Sequence, residues 1–201
     1  MSHDTATSAV TAEIKHRPRP SKTSLMLTFL ALAYMLAMFD RLLMVVVAEM
    51  VKQDFSLSDK QLSLLTGAAF IVVYATTAVA GGWFIDRVSR KKVLLWALSL
   101  WSLMTAACGL AQSFVQLAIA RAGVGVGEGA IVPIGLSSIN DMYEPHKRPL
   151  AVAIFYTGGM VGTLACFLLG SWIAINYSWR MAFFIAGPIP LSHNRCPLVY
   201  H

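Results

Sequence analysis

A chain of 201 residues that is 57% hydrophobic and only 13% charged does not read as a water-soluble domain, where about 25% charged residues are usual. The formal net charge of +6 is not a nucleic-acid signal, because no stretch interleaves basic and aromatic residues on a reachable surface; it reads as membrane topology. Apolar runs over 24–51, 61–85, 93–115, 115–140 and 149–175 each reach the roughly 20 residues that a helix needs to cross a hydrocarbon core about 30 Å thick. They predict an all-α polytopic membrane bundle of five full spans plus a partial sixth.

Residues 1–23 are polar, basic and proline-containing, with His16-Arg17-Pro18-Arg19-Pro20-Ser21-Lys22 at their end, and predict a disordered cytoplasmic tail. They are not a cleavable signal, since the apolar run that follows is too long for an h-region and contains Asp40 and Arg41. Short polar links then separate the runs at 52–60, 86–92, 111–113, 141–149 and 176–180. Basic residues sort by side. The tail and the second and fourth links hold ten: Lys15, Arg17, Arg19, Lys22, Arg87, Arg90, Lys91, Lys92, Lys147 and Arg148. The opposite side holds three, Lys52, Lys60 and Arg180. The positive-inside rule therefore predicts a cytoplasmic N-terminus, in the cell (inner) membrane. Residues 24–187 form the expected bundle. The sixth span opens at Trp179-Arg180 but meets Pro188, Pro190 and Pro197, with His193, Asn194 and Arg195 among them. Proline removes a helical hydrogen bond and clashes with the preceding turn, so 188–201 is expected to be an aberrant or truncated tail.

Two spans carry charges where a bilayer penalises them. Asp40 and Arg41 lie in the first; Arg121 and Glu128, seven residues apart, share a face of the fourth, about 10 Å apart along the axis. Each costs roughly 2.5–3.5 kcal/mol at a helix centre on insertion scales, and such residues face a bundle interior or wet cavity and mark transport pathways. The depths match, because the first span runs outward and the fourth inward. Two readings follow. The four charges form internal ion pairs that only lock the helices, or arginines receive an anion in an aqueous cavity while carboxylates exchange protons. Desolvation favours a neutral carboxyl and a neighbouring arginine an ionised one, so an anion bound to the arginine would couple substrate to proton occupancy. Arg41 and Arg121 are the expected substrate-binding residues, with Tyr34 and Tyr156 offering hydroxyls from the spans, as Tyr74 also could; packing is the alternative for all three. Asp40 and Glu128 are the expected proton-coupling residues.

The glycines at 123, 125, 127 and 129 lack the strand–turn–helix setting of a nucleotide loop. Gly123/Gly127, Gly125/Gly129 and Gly158/Gly162 are instead GxxxG steps suited to close helix packing. Cys108 and Cys166 fall in apolar runs and Cys196 in the tail, without metal-ligand spacing. No cofactor, metal or enzymatic nucleophile–base pair is read from the chain.

The link Gly82-Trp83-Phe84-Ile85-Asp86-Arg87-Val88-Ser89-Arg90-Lys91-Lys92 resembles the loop signature of the major facilitator superfamily, with Ser89 where glycine is usual. Phe39-Asp40-Arg41, the stretch 121–129 with Pro133 and Asp141, Arg148, and Ser178-Trp179-Arg180 are similar to the Spinster-like branch and its bacterial organic-anion relatives. The resemblance covers about residues 25–187 and implies the N-terminal half of a twelve-helix carrier with two parallel six-helix halves that rock about a midplane site. It implies that the first and fourth helices line the cavity, and that Gly82, Asp86, Arg87, Arg90, Lys91 and Lys92 form a cytoplasmic gate. The expected function is secondary transport of a small organic anion with protons. The alternatives are a carrier of lysolipid- or sphingolipid-type amphiphiles, or a half-carrier inactive alone, whose partner is a missing C-terminal half or a second copy. The fifth span lacks the Gly-Pro antiporter signature, which disfavours drug–proton antiport.

Overall fold

The structure is a computed structural model that describes residues 20–85 and 90–187. Its elements are α1 (Pro20–Val46), α2 (Ala48–Asp54), α3 (Asp59–Ser63), α4 (Ala69–Ile85), α5 (Arg90–Leu110), α6 (Phe114–Gly129), α7 (Ile131–Met142), α8 (Arg148–Ala165), α9 (Ser171–Asn176) and α10 (Trp179–Ala186). Short π-helical segments, Leu64–Ala68 and Cys166–Gly170, join α3 to α4 and α8 to α9. Five stretches are long and apolar enough to cross a membrane: Thr23–Val46, Asp59–Ala80, Lys92–Leu110, Phe114–Met142 and Arg148–Asn176. The expected five spans and partial sixth are all present as helix. The expected tail 1–23 falls mostly outside the described residues, and 188–201 falls wholly outside them.

Helix boundaries follow local chemistry. Ser58 and Gln61 form a reciprocal capping box at α3, and the Ser113 hydroxyl accepts the Gln116 amide at α6; both satisfy amides that the first turn leaves free. Pro149 sits in the first turn of α8, where its missing N–H costs nothing. Two runs that read as continuous are interrupted. The first span breaks at Val47, within three successive β-branched valines that crowd a helical turn. The fourth breaks at Ala130. Pro133 explains the second break, since it cannot donate to the carbonyl four residues earlier.

Small residues set the packing. On α6 the alternating glycines divide between two neighbours. A Cβ at Gly127 would meet Trp101 Cβ at 2.6 Å and the Ala97 carbonyl at 2.8 Å on α5, and one at Gly123 would meet Met104 at 2.5 Å. On the other side, Gly129 faces Thr77 Cβ at 2.9 Å and the Tyr74 carbonyl at 3.0 Å on α4. One helix thus seats two neighbours through interleaved GxxxG steps, as close backbone approach requires. Gly158 and Gly162 of α8 lie against the Ala31 and Met35 backbones of α1. The α10 helix closes on α5, with the Ser102 hydroxyl donating to the Gly187 carbonyl.

The fourth span is the most enclosed and the second the least. Leu43, Met44, Leu117, Val124, Phe155 and Phe183 are fully buried, while Ile71, Val79, Trp96, Leu103, Met160, Leu168 and Ile175 are exposed. Asp40, Arg121 and Glu128 are buried. Apolar side chains outside and charges inside is the arrangement that a lipid solvent favours. Cys108 and Cys166 are buried free thiols.

Candidate functional site

Asp40 and Arg41 are neighbours on α1, so their side chains leave the helix about 100° apart and face different partners. Asp40 turns to α5. Its Oδ2 accepts the Trp101 indole N–H at 3.2 Å and the Thr105 hydroxyl at 3.2 Å. Trp101 and Thr105 are four residues apart on one helix face, which lets both donors converge on one oxygen. From α6, Arg121 Nη1 lies 3.6 Å from the same oxygen, an ion pair too long to be a hydrogen bond, and its Nη2 donates to the Arg41 carbonyl at 3.4 Å.

Arg41 turns instead toward α6 and α4. Its Nε and Nη2 both donate to Glu128 Oε2, at 3.2 and 3.0 Å. The guanidinium carbon stands 4.2 Å from the centre of the Tyr74 ring and 5.7 Å from that of Phe70. Arg121 covers Phe70 as well, at 4.8 Å, so one phenyl ring lies within cation–π reach of both cations. Each acid of one helix is therefore matched to an arginine of the other, and the four expected charges form one quartet.

Burial divides the quartet. Asp40, Arg121 and Glu128 are 1%, 3% and 1% exposed, whereas the Arg41 side chain is 26% exposed. Four buried polar atoms find no hydrogen-bond partner among the described residues: Asp40 Oδ1, Arg121 Nε and Nη1, and Glu128 Oε1. Leaving such an atom unsatisfied costs about 1–3 kcal/mol, and all four lie in this one quartet.

The remaining expected residues fall in two places. Tyr34 stacks on Phe155 at 4.7 Å and meets the edge of Tyr156 at 5.5 Å, forming an aromatic cluster between α1 and α8. It lies within electrostatic reach of Arg41, Tyr74 and Glu128. Of the loop motif, Asp86 and Arg87 lie outside the described residues; Gly82, Arg90 and Lys91 are described only as helical backbone at the ends of α4 and α5, and Lys92 is exposed. Sequence reasoning missed Trp101, Thr105 and Phe70, and named Tyr74 only as a further hydroxyl that a ligand could use. The available signal was the pair Trp101/Thr105 at helical spacing within the third apolar run.

Five apolar spans around a paired-charge interior describe a multi-pass membrane protein. The pattern of the Major Facilitator Superfamily matches residues 30–192, and the chain belongs to that superfamily. It is 33% identical over 175 residues, 87% of this chain and 40% of the relative, to an MFS-type efflux pump of Mycolicibacterium smegmatis. It is 30% identical over 154 residues, 77% and 44% of the two chains, to a galacturonate transporter of Dickeya chrysanthemi. The crystal structure of a bacterial homolog to the human lysosomal transporter Spinster, inward-facing and occupied, matches with a TM-score of 0.82 at 31% identity, over 92% of this chain and 45% of that one. The chain spans less than half the length of these relatives.

Proposed function

We propose that residues 24–187 act as the N-terminal six-helix body of a secondary carrier that moves a small organic anion together with protons by alternating access. The observation that carries this reading is the unequal quartet: a buried acid, Glu128, holds an arginine that is itself open on one side. A proton on Glu128 removes the charge that holds Arg41, and the freed guanidinium then takes the carboxylate of a substrate. Loss of the proton restores the Arg41–Glu128 pair and expels the anion. Proton and anion thus travel together. Arg121 supplies a second positive charge next to the site and is held there by Asp40, which the sequence offered as a second proton-coupling acid and which in this cycle acts as its fixed counter-ion. The galacturonate transporter among the relatives agrees with an anionic cargo.

Alternation needs a second six-helix body facing this one, from a C-terminal half or from a second copy. Gly82, Asp86, Arg87, Arg90, Lys91 and Lys92 would latch the two bodies on the cytoplasmic side. The tail would share that side, in the cell (inner) membrane. Transport of this kind is not an enzymatic reaction. The test is uptake in vesicles under an imposed proton gradient with Glu128→Gln: the proton role requires that uptake lose its dependence on the gradient, and a wild-type response refutes it. In the same assay, soluble carboxylates should compete with the cargo. Competition by lysolipids alone would instead establish an amphiphile carrier, and no uptake by any form would leave a half-carrier inactive by itself.

A further inference from the structure

One aromatic ring stands between the two ion pairs. Arg121, Gly125 and Glu128 are four and then three residues apart, so all three lie on one face of α6. The ring of Phe70, from α4, rests on that face at Gly125, where a Cβ would stand 3.5 Å from its Cδ2 and Cε2. One turn further on, a Cβ at Gly129 would meet the Tyr74 carbonyl at 3.0 Å, and this closer approach fixes the height of α4 against α6. Phe70 is 5% exposed and lies nearly parallel to Tyr74, with 6.1 Å between the ring centres. The Arg121 guanidinium carbon is 4.8 Å from its centre and that of Arg41 5.7 Å. The ring thus touches the cation of each pair, at a level between Arg121 and Glu128.

The unpaired atoms show what the ring prevents. Among the described residues, Arg121 Nε and Nη1 find no acceptor and Glu128 Oε1 finds no donor, although all three are buried. A direct Arg121–Glu128 pair would satisfy both sides with charge-assisted hydrogen bonds, which are the strong ones. Two long side chains can together cover the roughly 10 Å between their turns. Arg121 instead reaches across to Asp40 at 3.6 Å, and Glu128 takes Arg41 at 3.0 Å. The phenyl group fills the space that the direct pair would need, and cation–π attraction offsets part of the loss by holding each guanidinium on the ring. We propose that Phe70 is a positioning residue that partitions the quartet: it bars Arg121 from Glu128, so that Glu128 answers to Arg41. Its part in the cycle rests on the carrier reading above. With Arg121 kept away, the charge of Glu128 decides whether Arg41 is held or free.

The experiment is magic-angle-spinning NMR of the full chain in lipid bilayers, with isotope-labelled carbon at the glutamate carboxyls and isotope-labelled nitrogen on the arginine guanidiniums. Dipolar dephasing of the Glu128 carboxyl signal, identified by its loss in Glu128→Gln, reports which arginine touches it. With Phe70 in place, Arg41→Gln should abolish the dephasing and Arg121→Lys should leave it unchanged. In Phe70→Ala the dephasing should survive Arg41→Gln, because Arg121 can now cross the gap, and should vanish once Arg121→Lys is added. Phe70→Leu keeps an apolar wall and should behave as wild type. Phe70→Val opens the gap by a smaller step and replaces Phe70→Ala where that variant does not fold. Dephasing that Arg41→Gln abolishes even in the truncated variants overturns the partition, and so does dephasing that survives Arg41→Gln while Phe70 is present. In the vesicle assay above, Phe70→Ala should respond severalfold less than wild type to the imposed proton gradient. Altered pairing with an undiminished gradient response overturns the proton reading of Glu128 and leaves the partition standing.

Discussion

The two ion pairs of the quartet are built from the same residue types and differ in everything around them. Asp40 and Arg121 are both buried, and Asp40 is held by two donors from α5. Glu128 is as deeply buried, but its arginine is half-open and rests on an aromatic ring instead of inside a cage. The first pair cannot be opened without stranding a charge in a dry interior. Opening the second would strand less, because the Arg41 side chain is already 26% exposed. In the proposed transport cycle the first pair would stay fixed and the second would exchange partners.

The largest expected effect breaks the fixed pair. Asp40→Asn leaves Arg121 buried with no counter-charge and should cost about 3–5 kcal/mol of stability, seen as a lowered midpoint in a denaturant titration of the micellar protein. Replacing both partners, Asp40→Leu with Arg121→Met, should recover most of that loss, because an apolar pair of similar volume carries no desolvation penalty. If the double replacement is no better than the single one, the fixed pair has a role beyond mutual neutralisation.

Breaking the exchangeable pair should be milder for stability and harsher for function. Glu128→Gln should destabilise by about 1 kcal/mol, since the released cation remains partly solvated. Equal stability losses in Asp40→Asn and Glu128→Gln would erase the distinction between the pairs.

The glycine steps sharpen the comparison, because they hold α6 and therefore both of its charges in place. Gly127→Ala places a methyl against Trp101 and the Ala97 carbonyl and should cost about 1–3 kcal/mol by overpacking. Gly67→Ala meets nothing within 4 Å and should be neutral or slightly stabilising. A modest loss falls on a single donor. Thr105→Val removes one of the two hydrogen bonds to Asp40 Oδ2 and should cost about 1 kcal/mol.

Much of the bundle was legible from residue order. Apolar runs of bilayer length gave the spans, and the polar links between them matched the helix ends at Asp54, Leu110, Met142 and Asn176. The depth of the four charges followed from their positions along helices of opposite direction. Gly158/Gly162 and the 123–129 glycines announced close packing, whereas the fourth run read as continuous and breaks at Ala130. The break at Val47 and the two π-helical segments were not visible, because a small change of helical register leaves the composition of an apolar run unchanged.

The amino-acid sequence by itself determined that this is a membrane bundle with two acids and two arginines at matched depth, since the bilayer constrains length and charge one helix at a time. Only the tertiary structure decided which acid meets which arginine, that Asp40 is caged by Trp101 and Thr105, and that Arg41 alone stays open beside Tyr74. Those choices depend on how helices rotate about their axes when packed, and that rotation is set by contacts between residues far apart in the chain.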